Sequence, residues 1–334
     1  MTKGKKIKYV LGIESTAHTF GIGIVTDKGK ILANERDTLK VSSGGFLPRE
    51  AAEHHYRLAN TILDSALKKA KLKLKDIDLI SFAQGPGIGQ CLHAGASFAR
   101  YLSLRTKIPL IGVNHCLAHI EIGKLTTKLK DPLSIFVSGA NTQIIAFKNG
   151  FYRVYGETQD MGLGNALDQF GRALNIPFPA GPILDKKYFD GKNYIELPYT
   201  VKGMDLSFAG ILTSAKLKIG KVNENDLIFS YLHTLYAMLL EVVERALYYA
   251  KKKAVMVVGG VAASKALRDM LEKLGKQRNI KLGFVPLEYA GDNGAMIAWQ
   301  GYLQYYLGKD RQTLKQTKCN PNQRLDTIKI NYIK

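Results

Sequence analysis

The sequence predicts an α/β protein built from two similar halves. Strand and helix patterns alternate over residues 77–125, an order that is typical of a sheet with parallel strands. A strand, a short polar turn and a second strand occur near the start of the chain and occur again in its middle. The length of 334 residues is enough for two domains of ordinary size. We therefore expect two lobes, residues 1–130 and residues 131–334.

Both strand–turn–strand units join two apolar strands by a turn of small polar residues. The strands are 9–13 and 20–25 in the first unit, and 133–137 and 144–147 in the second. The backbone N–H groups and hydroxyls of such turns can bind an anion. The residues predicted to do so are Ser15, Thr16, Ser138 and Thr142.

Apolar spacing predicts the elements that lie between and after these units. They are, in order, a helix over 58–70, a strand over 77–83, a glycine loop over 85–89, a helix over 92–104, a strand over 108–113, a helix over 115–125, a long helix over 232–247 and a strand over 254–258. The glycine loop, and the pair Gly259-Gly260 after the last strand, permit a close approach of the backbone. Such loops are typical of nucleotide sites.

The chain carries a large excess of positive charge. It has 48 Lys and Arg against 28 Asp and Glu, a net charge of +20. The excess lies in five runs, 68–75, 124–130, 216–221, 251–253 and 309–318. A surface of this kind attracts polyanions, because each phosphate that is neutralised releases counterions. The charge therefore favours nucleic acid as partner. The alternative is a solvated lysine-rich surface of the kind found in thermophiles.

Composition and patterning argue against several other classes of protein. A hydrophobic fraction of 46% with 23% charged residues is typical of a folded soluble protein. The three cysteines, Cys91, Cys116 and Cys319, have neither CxxC spacing nor an even framework, which argues against a disulfide scaffold and a cysteine zinc cluster. The apolar stretch after the basic start ends at Glu14, which is too early for a signal peptide. We expect a cytoplasmic protein that does not associate with a membrane.

Two histidines indicate a metal site. His115 and His119 are four residues apart on a predicted helix, so both imidazoles project from one face and can share a transition-metal ion. Asp292, in the glycine-flanked segment 291–294, is the candidate third ligand. The alternative is a histidine pair on a helix surface or in core contacts. A zincin protease is excluded, because Cys116 stands where HExxH has its glutamate.

Seven motifs occur in the order that one known family has. They are Glu14 to Ala17, Pro48 to His55, Gly85 to Gly89, Asn114 to His119, Ser138 to Gln143, Gly259 to Ala263 and Gly291 to Trp299. Together they resemble the archaeal and eukaryotic tRNA threonylcarbamoyladenosine transferases, the catalytic subunits of the KEOPS complex. The resemblance runs from about Val10 to Gly301.

The resemblance implies an actin-like, Hsp70-like and sugar-kinase-like ATPase fold with a nucleotide cleft between the two lobes. It implies transfer of the threonylcarbamoyl group of threonylcarbamoyl-AMP to N6 of the adenosine 3′ of the anticodon, in tRNAs reading codons that start with A. One divalent transition metal per subunit, iron in preference to zinc, would bind His115, His119 and Asp292.

The same resemblance implies what occupies the cleft and which partners bind. Threonylcarbamoyl-AMP or ATP would lie in the cleft, and tRNA would be bound together with KEOPS subunits, including a small protein kinase and accessory proteins. The substrate and nucleotide contacts carried over by position are Phe136, Val137, Ser138, Gly139, Ala140, Asp160, Gly181, Asp185 and Ser264.

Five positions depart from the family's usual pattern. Phe136 replaces a tyrosine whose hydroxyl reaches the metal, and Ala140 replaces a second glycine, which is costly if the backbone there needs a positive φ. Ser264 replaces an asparagine, His93 an arginine and Leu47 a histidine. Each change lies at or near a carried-over contact, so the sequence predicts an altered site.

Two other functions are compatible with the sequence. An ATP-dependent phosphotransferase would share the two polar turns, but it would need a catalytic aspartate in the cleft and no transition metal. A noncatalytic nucleotide-binding scaffold of a KEOPS-like complex is favoured by the departures at Phe136, Ala140 and Ser264. The sequence identifies no general base, and positioning of the reactants can supply much of the catalysis.

Overall fold

The computed structural model describes residues 7–40 and 47–333. The basic start of the chain, residues 1–6, lies outside the described residues. Two five-stranded sheets and the helices around them confirm the predicted α/β class.

The first sheet has the strand order β3-β2-β1-β4-β5. Its strands are β1 (Tyr9–Glu14), β2 (Thr19–Thr26), β3 (Ile31–Thr38), β4 (Leu79–Gly85) and β5 (Leu110–Asn114). Its helices are α1 (Pro48–Ala70), α2 (Gly89–Thr106) and α3 (His115–Thr127). Strands β1, β4 and β5 are parallel, so their carboxyl ends meet at one edge of the sheet.

The second sheet has the strand order β12-β11-β6-β7-β8, in which β12, β11 and β6 are parallel. Its strands are β6 (Leu133–Val137), β7 (Thr142–Lys148), β8 (Phe151–Glu157), β11 (Ala254–Val258) and β12 (Lys281–Phe284). A short pair lies apart from it, β9 (Val201–Lys202) and β10 (Asp205–Leu206). The later helices are α4 (Leu163–Ala173), α5 (Gly181–Tyr188), α6 (Ala209–Lys218), α7 (Glu224–Ala250), α8 (Lys265–Arg278), α9 (Leu287–Ala290) and α10 (Gly294–Tyr302).

Helix α3 lies between the two sheets. Its residues Leu117 and Ile120 share a buried cluster with Phe136 and Val258, which belong to the second sheet. A Cβ on Gly123 would lie 2.8 Å from the sulfur of Met256, so the helix approaches β11 closely. The side chains at the start of α3 are therefore held between the ends of both sheets.

Helix α7 is the described helix that is long and apolar enough to cross a membrane. Its most apolar stretch is 72% buried inside the protein, where it packs on α5, α6 and α8. A core helix of a soluble protein has this character. The aliphatic stripe that predicted α7 therefore faces the interior of the second half of the chain.

Candidate metal centre and adjoining cleft

The carboxyl ends of β1 and β5 place Glu14 beside His115. Asn114 ends β5 and caps α3 by accepting a hydrogen bond from the third N–H of the helix, so His115 becomes its first residue. Glu14 Oε2 lies 3.0 Å from His115 Nδ1. The other oxygen of this fully buried carboxylate accepts hydrogen bonds from the N–H and the hydroxyl of Thr16, at 2.7 and 2.5 Å. A carboxylate on Nδ1 leaves Nε2 of His115 free to bind a metal.

Glycines bring Asp292 to the same place. A Cβ on Gly12 would lie 2.1 Å from the nitrogen of Ala298, and a Cβ on Gly23 would lie 2.1 Å from the nitrogen of Ala295. Glycine is therefore needed at both positions for α10 to lie directly on β1 and β2. Asp292 lies two residues before α10, and this packing carries it to the histidines.

The two histidines and Asp292 converge on one point. Asp292 Oδ1 lies 3.3 Å from His119 Nε2 and 3.5 Å from His115 Nε2. Ligand atoms bound about 2.0–2.1 Å from a tetrahedral ion are roughly 3.3 Å apart. The Nδ1 atom of His119 is buried without a hydrogen-bond partner among the described residues. Two imidazoles and a carboxylate at these distances fit a divalent transition metal.

The carboxylates of Glu14 and Asp292 favour positive charge at this cluster, either the proton of His115 or a metal ion that replaces it. Burial disfavours the charged form of His115, but the Glu14 carboxylate outweighs burial and raises the pKa of His115 to about 9. Burial lowers the pKa of His119. Burial also opposes ionisation of Asp292, yet the hydrogen bond from His119 and the charge of His115 hold the pKa of Asp292 well below its usual range. The carboxylate is therefore ionised and available as a ligand.

Phe136 forms an apolar wall of the cluster. Its ring is 1% exposed, and its centroid lies 5.2 Å from that of His119. It offers no oxygen, so the candidate ligand groups that the described residues bring together here are two imidazoles and one carboxylate. Catalytic metal sites with an open position commonly have three protein ligands. The next residue, Val137, is fully buried and packs into the core of the second half.

The first turn is packed within the protein. Thr16 bonds to Glu14, as described above, and Ser15 is buried. The carbonyl of Thr16 accepts a hydrogen bond from the N–H of Ile88, so the glycine loop 85–89 packs on this turn. Binding of an anion by Ser15 and Thr16 stays a prediction. The residue of this turn that lines the adjoining cavity is His18.

The second turn packs on the start of α4. The carbonyls of Ser138 and Gly139 and the hydroxyl of Thr142 each accept a hydrogen bond from an N–H at that helix terminus. Ala140 is exposed and its backbone lies outside the left-handed region, so its methyl group causes no strain. The substitution of glycine by alanine is therefore compatible with the turn.

A cavity of about 430 Å³ lies between His18 and the second half of the chain. Its walls are mainly apolar with a few polar groups, which is typical of a small-molecule site. The carried-over contacts that line it are Gly139, Gly181, Asp185 and Ser264. Other residues around it include Asp168, Phe178, Pro179, Tyr236 and Val261.

Ser264 and Asp185 hold the amino-terminal end of α8 at this cavity. The Ser264 hydroxyl donates to Asp185 at 2.5 Å and accepts from the N–H of Leu267 at 3.1 Å. Asp185 also accepts from the N–H groups of Lys265 and Ala266. Serine and asparagine are both good helix caps, so serine can replace the family's asparagine in this role.

Asp160 does not line the cavity. Its carboxylate accepts hydrogen bonds from the Ser207 hydroxyl and from the N–H groups of Phe208 and Ala209, where it anchors the start of α6. Burial opposes ionisation, but these bonds, led by the one from Phe208, lower the pKa of Asp160 to about 2. Asp168, which sequence analysis did not single out, does line the cavity and accepts from the Ala180 N–H at 2.8 Å.

The two remaining departures lie on the surface. Leu47 precedes α1 and is 63% exposed, and His93 is exposed on α2. Neither residue lines the cavity described above. The structure gives no account of these two substitutions.

The two five-stranded sheets, with a cavity lined by His18 and by residues of the second half, have the arrangement of an actin-like ATPase-fold protein. Solved structures of this fold align with most of the chain. HypF from T. kodakarensis matches 89% of this chain and 47% of its own, with a TM-score of 0.63 and 17% identity. The (R)-2-hydroxyglutaryl-CoA dehydratase component A of Acidaminococcus fermentans matches 88% and 98%, with a TM-score of 0.56 and 16% identity.

Sequence comparison identifies the family. Residues 30–299 match the TsaD family, tRNA N6-adenosine threonylcarbamoyltransferase, and the chain belongs to it. The enzyme of that name from Thermococcus kodakarensis is 49% identical over 96% of this chain and 98% of its own. The one from Thermococcus sibiricus is 48% identical over 96% and 99%. A probable bifunctional tRNA threonylcarbamoyladenosine biosynthesis protein of Methanocaldococcus jannaschii is 47% identical over 97% of this chain and 60% of its own.

Proposed function

We propose that this protein transfers the threonylcarbamoyl group of threonylcarbamoyl-AMP to N6 of the adenosine 3′ of the anticodon, in tRNAs reading codons that start with A. Membership of the TsaD family supports this activity. The observation that carries the proposal is the convergence of His115, His119 and Asp292, whose carboxylate interacts electrostatically with His18 of the cavity wall. An acyl transfer site needs a charge-stabilising group next to a pocket for the leaving nucleotide.

The reaction is an acyl transfer from a mixed anhydride to an amine. The N6 nitrogen attacks the carbamoyl carbon, a C–N bond forms, the C–O bond to the phosphate breaks, AMP leaves and the nitrogen loses one proton. Gly139 lines the cavity and has no atom within 4 Å of the place where a Cβ would lie, so a ligand can approach its backbone closely on that side. The apolar walls of the cavity would limit the contact of a bound anhydride with water, which would otherwise hydrolyse it.

We propose that His115, His119 and Asp292 hold one divalent transition metal. Two histidines and one carboxylate are the ligand set of many non-haem iron(II) sites, which supports iron in preference to zinc. When bound, such an ion stabilises negative charge that develops on oxygen as a Lewis acid. Glu14 orients His115 by accepting from Nδ1, at 3.0 Å.

The nucleotide, partner and location assignments are also proposals. Gly139, Gly181, Asp185 and Ser264 line the cavity that would hold threonylcarbamoyl-AMP or ATP. We propose tRNA as the macromolecular substrate and KEOPS subunits, including a small protein kinase, as partners. The bifunctional name of the Methanocaldococcus jannaschii relative, of which this chain covers 60%, supports a partner activity that is fused to the transferase in that protein. We propose a cytoplasmic location and a division into lobes at residues 130 and 131, with α10 returning from the second part of the chain to pack on the first sheet.

Paired histidine substitutions test the metal and the activity together. We expect the double substitution of His115→Ala and His119→Ala to remove bound metal and most transfer, because each imidazole supplies one of few ligands. His93→Ala removes an exposed histidine of α2 and is the matched control. Metal content, nucleotide binding and tRNA modification are measured on one preparation. Stoichiometric iron or zinc in the double variant would refute the metal assignment.

The same measurements separate the alternatives. Phosphate transfer from ATP to a small acceptor, without tRNA modification, would indicate a phosphotransferase. Nucleotide binding with neither transfer, even with the proposed partners present, would indicate a scaffold.

A further inference from the structure

The strand starts of the second sheet form a lysine-rich edge. Parallel strands β6, β11 and β12 begin side by side, because Leu133 pairs with Val255 and Ala254 pairs with Lys281. The antiparallel strand β7 ends at this same edge, and Lys148 pairs with Phe151 at the start of β8. The edge lies opposite the strand ends that lead into the cavity.

Hydrogen bonds join the segments that reach this edge. The N–H of Lys281 donates to the carbonyl of Lys253 at 3.1 Å. Lys252 Nζ donates to the carbonyl of Phe147 at 3.0 Å and to both oxygens of Asp131 at 2.6 Å. Next to Lys329, the N–H of residue 330 donates to the carbonyl of residue 150 at 2.7 Å. Five segments that are distant in sequence therefore meet here.

Seven lysines at this edge are exposed, and within the described residues none of them takes part in an ion pair. They are Lys128, Lys130, Lys148, Lys251, Lys253, Lys281 and Lys329. The acidic side chain that the contacts place among them, Asp131, is paired with Lys252. Positive charge is therefore concentrated along the edge, and we call these seven residues the lysine edge.

The lysine edge has two further features that suit RNA. A cavity of about 260 Å³ opens there, lined by Lys124, Lys130 and Ser134, and the buried hydroxyl of Ser134 has no hydrogen-bond partner in the described chain. The last turn of α7 exposes Tyr248 by 89% and Tyr249 by 63% just before Lys251. Exposed aromatic rings beside cationic groups are a platform for stacked bases and for phosphates.

We propose that the lysine edge binds the sugar–phosphate backbone of the tRNA, outside the loop that enters the cleft. This inference rests on the proposed function. Strands β6 and β11 have five residues each and span about 17 Å, at roughly 3.3 Å per residue. One RNA molecule can therefore contact the edge while its target adenosine lies in the cavity. Because phosphates position an RNA and carry no sequence information, the edge serves all tRNA substrates alike.

A structural role for the same lysines must be separated from this one. Helices α3, α7 and α8 end near the edge, and cations stabilise helix carboxyl ends. Helix α1 ends in a comparable way, with Lys71 in the left-handed cap as Lys251 is in α7. Lysines at the end of α1 therefore provide a control that is matched in charge and in helix position.

The test compares two triple variants with the wild type. One variant carries Lys130→Gln, Lys253→Gln and Lys281→Gln. The control carries Lys68→Gln, Lys71→Gln and Lys73→Gln, all on exposed residues. Affinity for an unmodified tRNA is measured over a range of salt concentrations, together with the binding of adenine nucleotide and the KM and kcat of transfer.

We expect the edge variant to bind tRNA more weakly and with a flatter salt dependence. The slope of log affinity against log salt is about −0.7 to −0.9 per phosphate contact. If a contact contributes nothing at about 1 M salt, its loss lowers affinity roughly five- to eightfold at about 0.1 M salt. Loss of three contacts raises Kd by at least about 100-fold and reduces the slope by about 2 to 3. The KM for tRNA rises, while nucleotide affinity and kcat at saturating tRNA are unchanged.

Three results would overturn the inference while leaving the proposed function intact. In the first, wild type and edge variant modify tRNA with equal KM and equal salt slope. In the second, the edge variant is less stable to heat but binds tRNA as the control does, which assigns the lysines to the helix ends. A wild type that neither binds nor modifies tRNA refutes the proposed function and this inference together. In the third of these results both triple variants lose tRNA affinity equally, which assigns binding to net charge and not to the lysine edge.

Discussion

Glu14→Gln isolates the role of the buried carboxylate next to the histidine cluster. Glutamine keeps the size of the side chain, and its amide oxygen can still accept the hydrogen bonds from the N–H and hydroxyl of Thr16, which now lie at 2.7 and 2.5 Å. Its NH₂ group then faces His115 Nδ1, which is 3.0 Å from the present oxygen. Because NH₂ is a donor, Nδ1 must become the acceptor and the proton must move to Nε2.

The expected loss of metal affinity follows from this change of tautomer. With a proton on Nε2, His115 no longer presents a lone pair toward Asp292, which lies 3.5 Å away. Loss of an orienting carboxylate of this kind typically lowers metal affinity about 10- to 100-fold, or about 1.4–2.7 kcal/mol. We therefore expect the variant to bind iron or zinc that much more weakly, while the fold is retained.

Chelator-buffered metal titrations measure the effect. They are run near pH 9, where His115 of the wild type is about half deprotonated, so proton competition differs little between the two proteins. Glu121→Gln is the control, because Glu121 is a buried carboxylate bonded to Tyr152 and Lys124, not to the cluster. A folded Glu14→Gln protein with wild-type metal affinity would show that Glu14 does not orient His115.

Three further predictions concern single residues. Phe136→Tyr should tighten metal binding, because it adds a phenol oxygen beside His119; weaker or equal affinity in the titration above would contradict this. His55 is fully buried, and burial lowers its pKa to about 4. The neutral imidazole therefore makes its full contribution to the free energy of unfolding above about pH 6.5, and up to about 3 kcal/mol is lost as the pH falls to 4. Urea unfolding of wild type and His55→Gln tests this, and parallel pH curves would refute it. Asp168→Asn should weaken adenine-nucleotide binding about tenfold by calorimetry, whereas Asp160→Asn should lower stability and leave nucleotide affinity unchanged; the reverse order of effects would reassign the two carboxylates.

Local sequence patterns predicted both strand–turn–strand units and the helices α1, α2, α3 and α7, but not the strands β3 and β12 or the helices α4, α5, α6 and α10. The expected strands over 133–137 and 254–258 have those bounds in the structure, and the helix over 115–125 is α3, 115–127. Helix α1 begins ten residues earlier than the apolar stripe indicated, because its first turns are more polar. Strand β8 was not predicted, since its side chains alternate less clearly between buried and exposed.

The sequence by itself determined which residue types are available to the site. A histidine pair at helical spacing projects from one face wherever the helix lies, so His115 and His119 could be paired without a structure. The choice between Asp160 and Asp168 could not be made in this way. Both are single carboxylates in one stretch of chain, and only the packing of α4 and α6 decides which one lines the cavity.

Only the tertiary structure decided what surrounds those residues. Glu14 meets His115 because parallel strands β1 and β5 end at one edge, and Asp292 arrives through backbone packing of α10 on glycines of β1 and β2. The lysine edge likewise collects residues from separate runs through strand register. Periodicity reports which faces of one segment are buried. The contacts at the metal site join residues that are far apart in sequence, Glu14 and His115 by 101 positions and His119 and Asp292 by 173, and their meeting depends on how the sheets and helices pack.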